Sequence, residues 1–319
     1  MSSLPDFDPN NRPHILTEGF ESDSPLFNRA VQGVYELGST FKPFTVAQAL
    51  ELKLVSPETL IDTRGPLLWG KFKIRDFRDY GPELSVEKVI VKSSNIGTAR
   101  IAQIIGNERQ KAFLDRLGML AATPIELIEG PTGRPQYPNN WSEISTMTIS
   151  YGHGISTSPL HLAAGYATII NGGTLVTPTL LKQNIRKVGK RIVSEKVSQE
   201  IRTMLRHVVT DGTARSGDVP GYFVGGKTGT ADKPSPKGGY YEDKVLATFA
   251  GIFPSHDPKY VLVVTLDEPE DLRGPEPRRT ASVTAVPVAA EVIRRIAPLL
   301  GLAPQAERKH QTDITLAKK

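Results

Sequence analysis

Gly225-Gly226-Lys227-Thr228-Gly229-Thr230-Ala231 is the stretch on which the reading of this chain turns. Paired glycines ahead of a lysine suit a strand whose backbone another chain can approach closely. The Lys-Thr-Gly-Thr run then sets a cation and two hydroxyls along that strand. Two upstream segments give it meaning, Ser39-Thr40-Phe41-Lys42 and Ser93-Ser94-Asn95. Each is commonplace alone. A second S-x-x-K, Ser85 to Lys88, reads as an ordinary helix start with an exposed lysine.

Together the three segments supply the parts of serine acyl transfer. A serine hydroxyl is a weak nucleophile until a neighbour takes its proton. Helical i, i+3 spacing puts Lys42 on the face of Ser39. Lysine serves as a base only when burial or another cation lowers its pKa, and Lys227 would be that cation. A serine at a helix N-terminus also has backbone N–H groups and positive dipole directed at the reacting carbonyl.

Around these segments the pattern predicts a helix from Gly38-Ser39 to about Leu52, with Pro43 tolerated in its first turn. Leu60 to Tyr80 reads as irregular or short-strand structure. Ser85 caps a helix carrying Val86, Val89 and Ile90; a second run carries Ile96, Ala99 and Ile104. Further helices start at Asn107 (closed by Gly118), at Ser158-Pro159 (ended by Asn171-Gly172-Gly173), at Ser198 (to Gly212) and at Val283 (to Leu300). Strands are expected at Tyr222 to Ala231, Val245 to Phe253 and Tyr260 to Asp267, with Ser255-His256-Asp257-Pro258 as a hairpin turn.

Composition narrows the functional classes. The 319 residues hold no cysteine, which excludes disulfides, thiolate catalysis and zinc–thiolate sites. The six histidines form no close ligand pair, so no metal and no cofactor is expected. Thirty-nine basic against 34 acidic residues give +5. Without a dense basic tract this reads as a mixed-charge surface, and no nucleic-acid partner is expected. No apolar run is long enough to span a bilayer.

From about Asn28 to Ala290 the chain resembles the transpeptidase domain of class B penicillin-binding proteins, division-specific type. The resemblance rests on Glu36-Leu37-Gly38-Ser39-Thr40-Phe41-Lys42-Pro43-Phe44-Thr45, on Lys92-Ser93-Ser94-Asn95-Ile96-Gly97 and on Gly225 to Ala231. Tyr151-Gly152-His153-Gly154 and Ser158 to Ala163 match a further segment beside the cleft. It implies an α/β (α+β) penicillin-binding, serine β-lactamase-like fold, with an antiparallel sheet flanked by helices plus an all-helical lobe. The domain would span 1–301, with residues 1–50 and 180–301 in the sheet lobe and 51–179 in the helix-rich lobe; 302–319 would be a disordered polar tail.

The resemblance also implies the roles. Ser39 would form the acyl-enzyme with Lys42 as base, Ser93 would relay a proton to the departing D-alanine, and Asn95 would bind the acyl amide. Lys227 would add positive charge; Thr228, Gly229 and Thr230, with His153, would line the substrate. The backbone N–H groups of Ser39 and Thr230 would form the oxyanion hole. Leu37 and His153 depart from the proline and tyrosine usual in the family, and His153 reads as a packed cleft-wall residue. Expected partners are peptidoglycan stem peptides, β-lactams and membrane proteins of the division machinery, including a glycosyltransferase, at the periplasmic face of the inner membrane. Ahead of Met1 the resemblance places further strands, a pedestal and a membrane anchor, so an open sheet edge beside the lysine-bearing strand is expected. Two other readings stay open: a hydrolase (β-lactamase or DD-carboxypeptidase), disfavoured because no glutamate between Asn95 and Lys227 has an E-x-x-L-N-like context, and a non-catalytic sensor or scaffold.

Overall fold

The computed structural model describes residues 1–184, 188–236 and 238–305. One helix organises the molecule. After a 3-10 turn at Gly38–Phe41, α1 (Lys42–Glu51) is buried from Lys42 through Leu50. A helix covered all round belongs in a core rather than on a surface. Its aromatics fix its position: Phe41 and Phe44 meet edge-on with centroids 5.5 Å apart, and Phe44 meets Tyr166 at the same distance. The Tyr166 hydroxyl then donates to the Thr40 carbonyl at 2.8 Å, which satisfies a buried polar group. Each buried ring contributes about 2–3 kcal/mol, enough to hold the turn ahead of α1 in place.

On one side of α1 lie short antiparallel pairs and helices. Strands β1 (Leu60–Asp62) and β4 (Glu83–Ser85) pair, as do β2 (Leu67–Trp69) and β3 (Phe72–Ile74). They lead into α2 (Val86–Lys92), α3 (Asn95–Ile105), α4 (Asn107–Arg116), α5 (Glu143–Ile149) and α6 (Pro159–Ile170). Ser85 caps α2 and Lys88 is exposed, as the sequence suggested. Ile104 is not on the inner face of α3; it is 47% exposed, and Ile101 and Ile105 fill the core instead.

The other side is built from α7 (Glu195–Thr210), a three-stranded antiparallel sheet and α8 (Ala285–Leu299). Strands β5 (Gly225–Pro234), β6 (Tyr240–Phe253) and β7 (Tyr260–Asp267) lie in that order. The register sets Lys227 opposite Ala250 and Thr230 opposite Ala247. Ser194, not Ser198, starts α7: its hydroxyl accepts from the Val197 N–H, while Ser198 is buried inside the helix and accepts from the Gly172 N–H at 3.0 Å. The sheet strands begin or end a few residues away from the expected points because pairing with β6, rather than local propensity, sets their length.

The Gly38–Phe41 turn packs against β5, where a methyl group on Gly229 would lie 2.2 Å from the Leu37 carbonyl oxygen. Among the described residues no strand pairs with the far side of β7. Strand β5, which carries Lys227, is itself terminal in the sheet, so among the described residues both β5 and β7 are edge strands. Of the expected tail, residues 306–319 lie outside the described residues. Leu302 packs on the core, and the Gln305 N–H donates to the Gly221 carbonyl at 2.9 Å.

Candidate active site

Four of the side chains singled out from the sequence meet in one hydrogen-bonded cluster. Lys42 Nζ lies 2.5 Å from the Ser93 carbonyl oxygen, 3.1 Å from Ser93 Oγ and 2.8 Å from Asn95 Oδ1. Lys227 Nζ donates to the same Ser93 Oγ at 2.9 Å and to the Thr228 carbonyl at 3.1 Å. Both lysines are fully buried. The link between α2 and α3 makes this convergence possible. Ser93 sits in the left-handed region (φ 63°), which turns both its oxygens toward Lys42, and Ser94 caps α3 by accepting from the Gly97 N–H.

Two buried ammonium groups so close cannot both keep their ordinary affinity for protons. Burial first, and then the Lys227 charge, holds Lys42 well below its usual range, against a smaller opposing pull from Asp76. Burial pushes Lys227 down to about 7. Lys42 carries the additional repulsion and is the one that gives up its proton first.

Ser39 stands one turn ahead of Lys42, half-buried, with no side-chain hydrogen bond among the described residues. Its backbone runs against β5: a methyl group on Gly38 would lie 3.1 Å from the Thr230 carbonyl oxygen. Thr228 Oγ1 is 2.7 Å from Thr213 Oγ1, and Thr230 Oγ1 accepts from the Ala281 N–H at 3.0 Å.

His153 is not part of that network. It forms a second wall, its Nδ1 3.1 Å from Glu36 Oε2, with its side chain 43% exposed and that of Glu36 only 8%. Glu36 also accepts from the Gly154 N–H at 2.8 Å and the Tyr240 hydroxyl at 3.1 Å. The His153 ring packs 4.7 Å from that of Tyr240. Burial and the Glu36 charge push Tyr151, beneath His153, up to about 12. The loop is held to the Ser39 turn through the Gly38 N–H, which donates to the Gly152 carbonyl at 3.2 Å. Gly152 has φ 79°, and a methyl group there would lie 2.1 Å from the Gly38 oxygen, so only glycine fits.

Sequence reasoning missed Asp76. Its carboxylate accepts from Ser94 Oγ (2.6 Å), the Asn95 N–H (2.5 Å) and the Ile96 N–H (3.0 Å), closing the N-terminus of α3. It thereby orients Asn95, whose Nδ2 donates to the Arg75 carbonyl at 2.9 Å. Nothing local distinguishes it from Asp79; only the long-range docking of this loop does. Thr213 and the supporting role of Glu36 were missed for the same reason.

The profile of the penicillin-binding protein transpeptidase domain matches residues 1–294. The chain belongs to that family. Within the family, it is 36% identical over 317 residues to a probable peptidoglycan D,D-transpeptidase FtsI of Caulobacter vibrioides, a match covering 96% of this chain and 52% of that protein. Penicillin-binding protein PbpB of Mycolicibacterium smegmatis is 32% identical, with 92% of this chain and 48% of that protein covered. The apo transpeptidase domain of Burkholderia pseudomallei penicillin-binding protein 3 superposes with a TM-score of 0.79 at 35% identity, covering 87% of this chain and 83% of that domain. Penicillin-binding protein 3 of Mycobacterium tuberculosis, solved with aztreonam, gives 0.77 at 28% identity over 90% of this chain and 68% of the other. The chain spans about half the length of the curated relatives it matches. The fold is thus the penicillin-binding transpeptidase fold, of the class B, penicillin-binding protein 3-like kind.

Proposed function

We propose that this chain is the catalytic domain (1–301) of a septal peptidoglycan DD-transpeptidase that works through a serine acyl-enzyme and is acylated by β-lactams. The observation that carries the reading is the convergence of two fully buried lysines on the Ser93 hydroxyl, one of them three residues after Ser39, whose hydroxyl has no hydrogen-bond partner among the described residues. Neutral Lys42 takes the Ser39 proton as Oγ attacks the carbonyl of the D-Ala-D-Ala bond. The tetrahedral oxyanion is held by the N–H groups of Ser39 and Thr230. Ser93 passes the proton to the departing D-alanine nitrogen, and the C–N bond breaks. Lys227 keeps the Ser93 oxygen poised and, with Thr228 and Thr230, favours the substrate carboxylate. An amine from a second strand then attacks the ester, releasing Ser39 and forming the cross-link.

The FtsI relative and the penicillin-binding protein 3 structures support the division assignment. By the same likeness the domain would act at the periplasmic face of the inner membrane beside other division proteins, a glycosyltransferase among them. No described helix is long and apolar enough to cross a membrane. Retention of the acyl-enzyme, rather than hydrolysis, fits the state of Glu36. Its carboxylate accepts from the Gly154 N–H and the Tyr240 hydroxyl and faces His153, which ties it to the cleft wall.

The test is intact mass after benzylpenicillin, followed over hours, on the chain and on Ser39→Ala. A stable one-to-one adduct, absent from the variant, is expected. An adduct that disappears within seconds while drug is consumed would establish the hydrolase instead, and no adduct on a folded chain would remove the acyl-enzyme reading.

A further inference from the structure

The hairpin formed by β2 and β3 takes no part in the steps above. Trp69 faces Phe72 across a two-residue turn, Gly70-Lys71, in which Gly70 has φ 55°. Side chains alternate along each strand, so Leu67, Trp69, Phe72 and Ile74 share one face. The inner pair, Leu67 and Ile74, is sealed against Ile96, Ala99 and Met147. That packing does not extend to the outer pair: Trp69 is 37% and Phe72 47% exposed, and neither belongs to a core cluster. Two uncovered rings side by side on a short, closed hairpin mark a contact surface.

The charge of the hairpin says what would cover them. From Leu67 to Arg75 there are three cations, Lys71, Lys73 and Arg75, and no carboxylate. All three are exposed, and none has an ion-pair partner among the described residues. Asp76, next in sequence, is held by the N-terminus of α3. Lys71 Nζ lies 5.7 Å from the centroid of the Phe72 ring, so positive charge and aromatic surface are offered together. The negative faces of aromatic rings pack against the C–H faces of sugars, and the cations suit carboxylates. A polymer of sugars that carries acidic peptides has both. A flat anionic bilayer fits less well, since it would meet the tip at Gly70 and Lys71 before the rings.

The hairpin is also joined to the acyl-transfer cluster. Asn95 Nδ2 donates to the backbone carbonyl of Arg75, the residue after β3, at 2.9 Å. Tyr151 of the cleft wall packs on the same residues that seal Leu67 and Ile74. Phe72 is three residues along the chain from Arg75, about 10 Å at about 3.3 Å per residue. An extended peptide of a few residues, at about 3.5 Å each, spans the same interval between cleft and rings.

We infer that this face of the β2–β3 hairpin is a platform for the glycan strand of peptidoglycan, with sugar rings on Trp69 and Phe72 and the polymer's carboxylates at Lys71, Lys73 and Arg75. The inference rests on the transpeptidase reading, and its test separates the two. The chain is first acylated with benzylpenicillin, which blocks Ser39, and is then sedimented with insoluble peptidoglycan. Retention is expected to persist after acylation and to fall about tenfold in Trp69→Ala. The double variant Lys71→Glu, Lys73→Glu should lose about as much at low salt and less at high salt. Soluble glycan strands stripped of their peptides should shift the emission of Trp69, since the other tryptophan, Trp141, is buried. Polyglutamate should not.

A melt and the benzylpenicillin adduct certify that each variant is folded. No retention of the unaltered chain, retention that the drug abolishes, or retention that survives either variant overturns the inference. So does binding to polyglutamate or to phosphatidylglycerol vesicles as strong as binding to glycan, which would make the hairpin a general anion or membrane patch. Failure of the unaltered chain to form the adduct would instead sink the transpeptidase reading, and sedimentation would still decide the platform.

Discussion

Replacing Lys227 with methionine should make the protein more stable and inactive, and the gain should depend on pH in a calculable way. Lys227 is fully buried, and its pKa falls from an ordinary 10.5 to about 7. The unfolded chain therefore binds a proton that the folded one gives up between those values, and stability rises with pH across the window. Each tenfold change in proton affinity is worth about 1.36 kcal/mol. The charged form therefore costs the fold about 4–5 kcal/mol at pH 6 and about 2 kcal/mol at pH 9. Methionine removes the charge but deprives Ser93 Oγ and the Thr228 carbonyl of a donor, at about 1 kcal/mol each. The balance is a stabilisation of about 3 kcal/mol at pH 6 and almost none at pH 9. With an unfolding entropy of about 2.1 cal/mol/K per residue over 319 residues, that is a rise in melting temperature of about 4 °C at pH 6. Scanning calorimetry at both values reads it directly, and benzylpenicillin acylation of the variant should fall at least a hundredfold. A Lys227→Met protein that melts lower at pH 6, or whose advantage does not shrink by pH 9, refutes the argument that burial of this cation strains the fold.

Asp76→Ala should slow acylation about tenfold or more and cost about 2–3 kcal/mol, because three donors at the start of α3 lose their acceptor; unchanged melting and unchanged acylation would remove Asp76 from its supporting role. His153→Tyr should leave acylation largely intact, since Glu36 keeps Gly154 and Tyr240; a hundredfold loss, about 2.7 kcal/mol of barrier, would contradict the cleft-wall reading. Gly229→Ala forces β5 away from the Leu37 carbonyl and should lower stability by about 1–3 kcal/mol while abolishing benzylpenicillin adducts, read by urea titration and mass; full activity would mean the turn and strand need not touch.

Helices announced by their own caps and faces, such as α2 behind Ser85 and α6 behind Ser158-Pro159, were readable because the information is local. So were the three motifs and their order. α5 went unnoticed, although Ser142 caps it, because its seven residues are too few to show a period. The start of α7 was misplaced because two serines compete and only the buried environment of Ser198 decides between them. In the site, residue identity was visible but support was not. Asp76 reaches Asn95 across 19 positions and Glu36 reaches His153 across 117, and no spacing rule links such pairs. The left-handed backbone at Ser93 was equally hidden, since nothing but its neighbours obliges a non-glycine residue to adopt it.

The open side of β7 bears on how the molecule tolerates company. An unpaired strand of half-covered Val and Leu residues can take up another strand, either from elsewhere in a longer polypeptide or from a second copy. Because β6 stands between β7 and the strand carrying Lys227, such an addition would lengthen the sheet without touching the catalytic groove. Self-association and acyl transfer are thereby insulated from each other: a preparation that clusters through this seam could still titrate fully with drug. Loss of solubility and loss of chemistry would then be separate failures, to be traced to different strands.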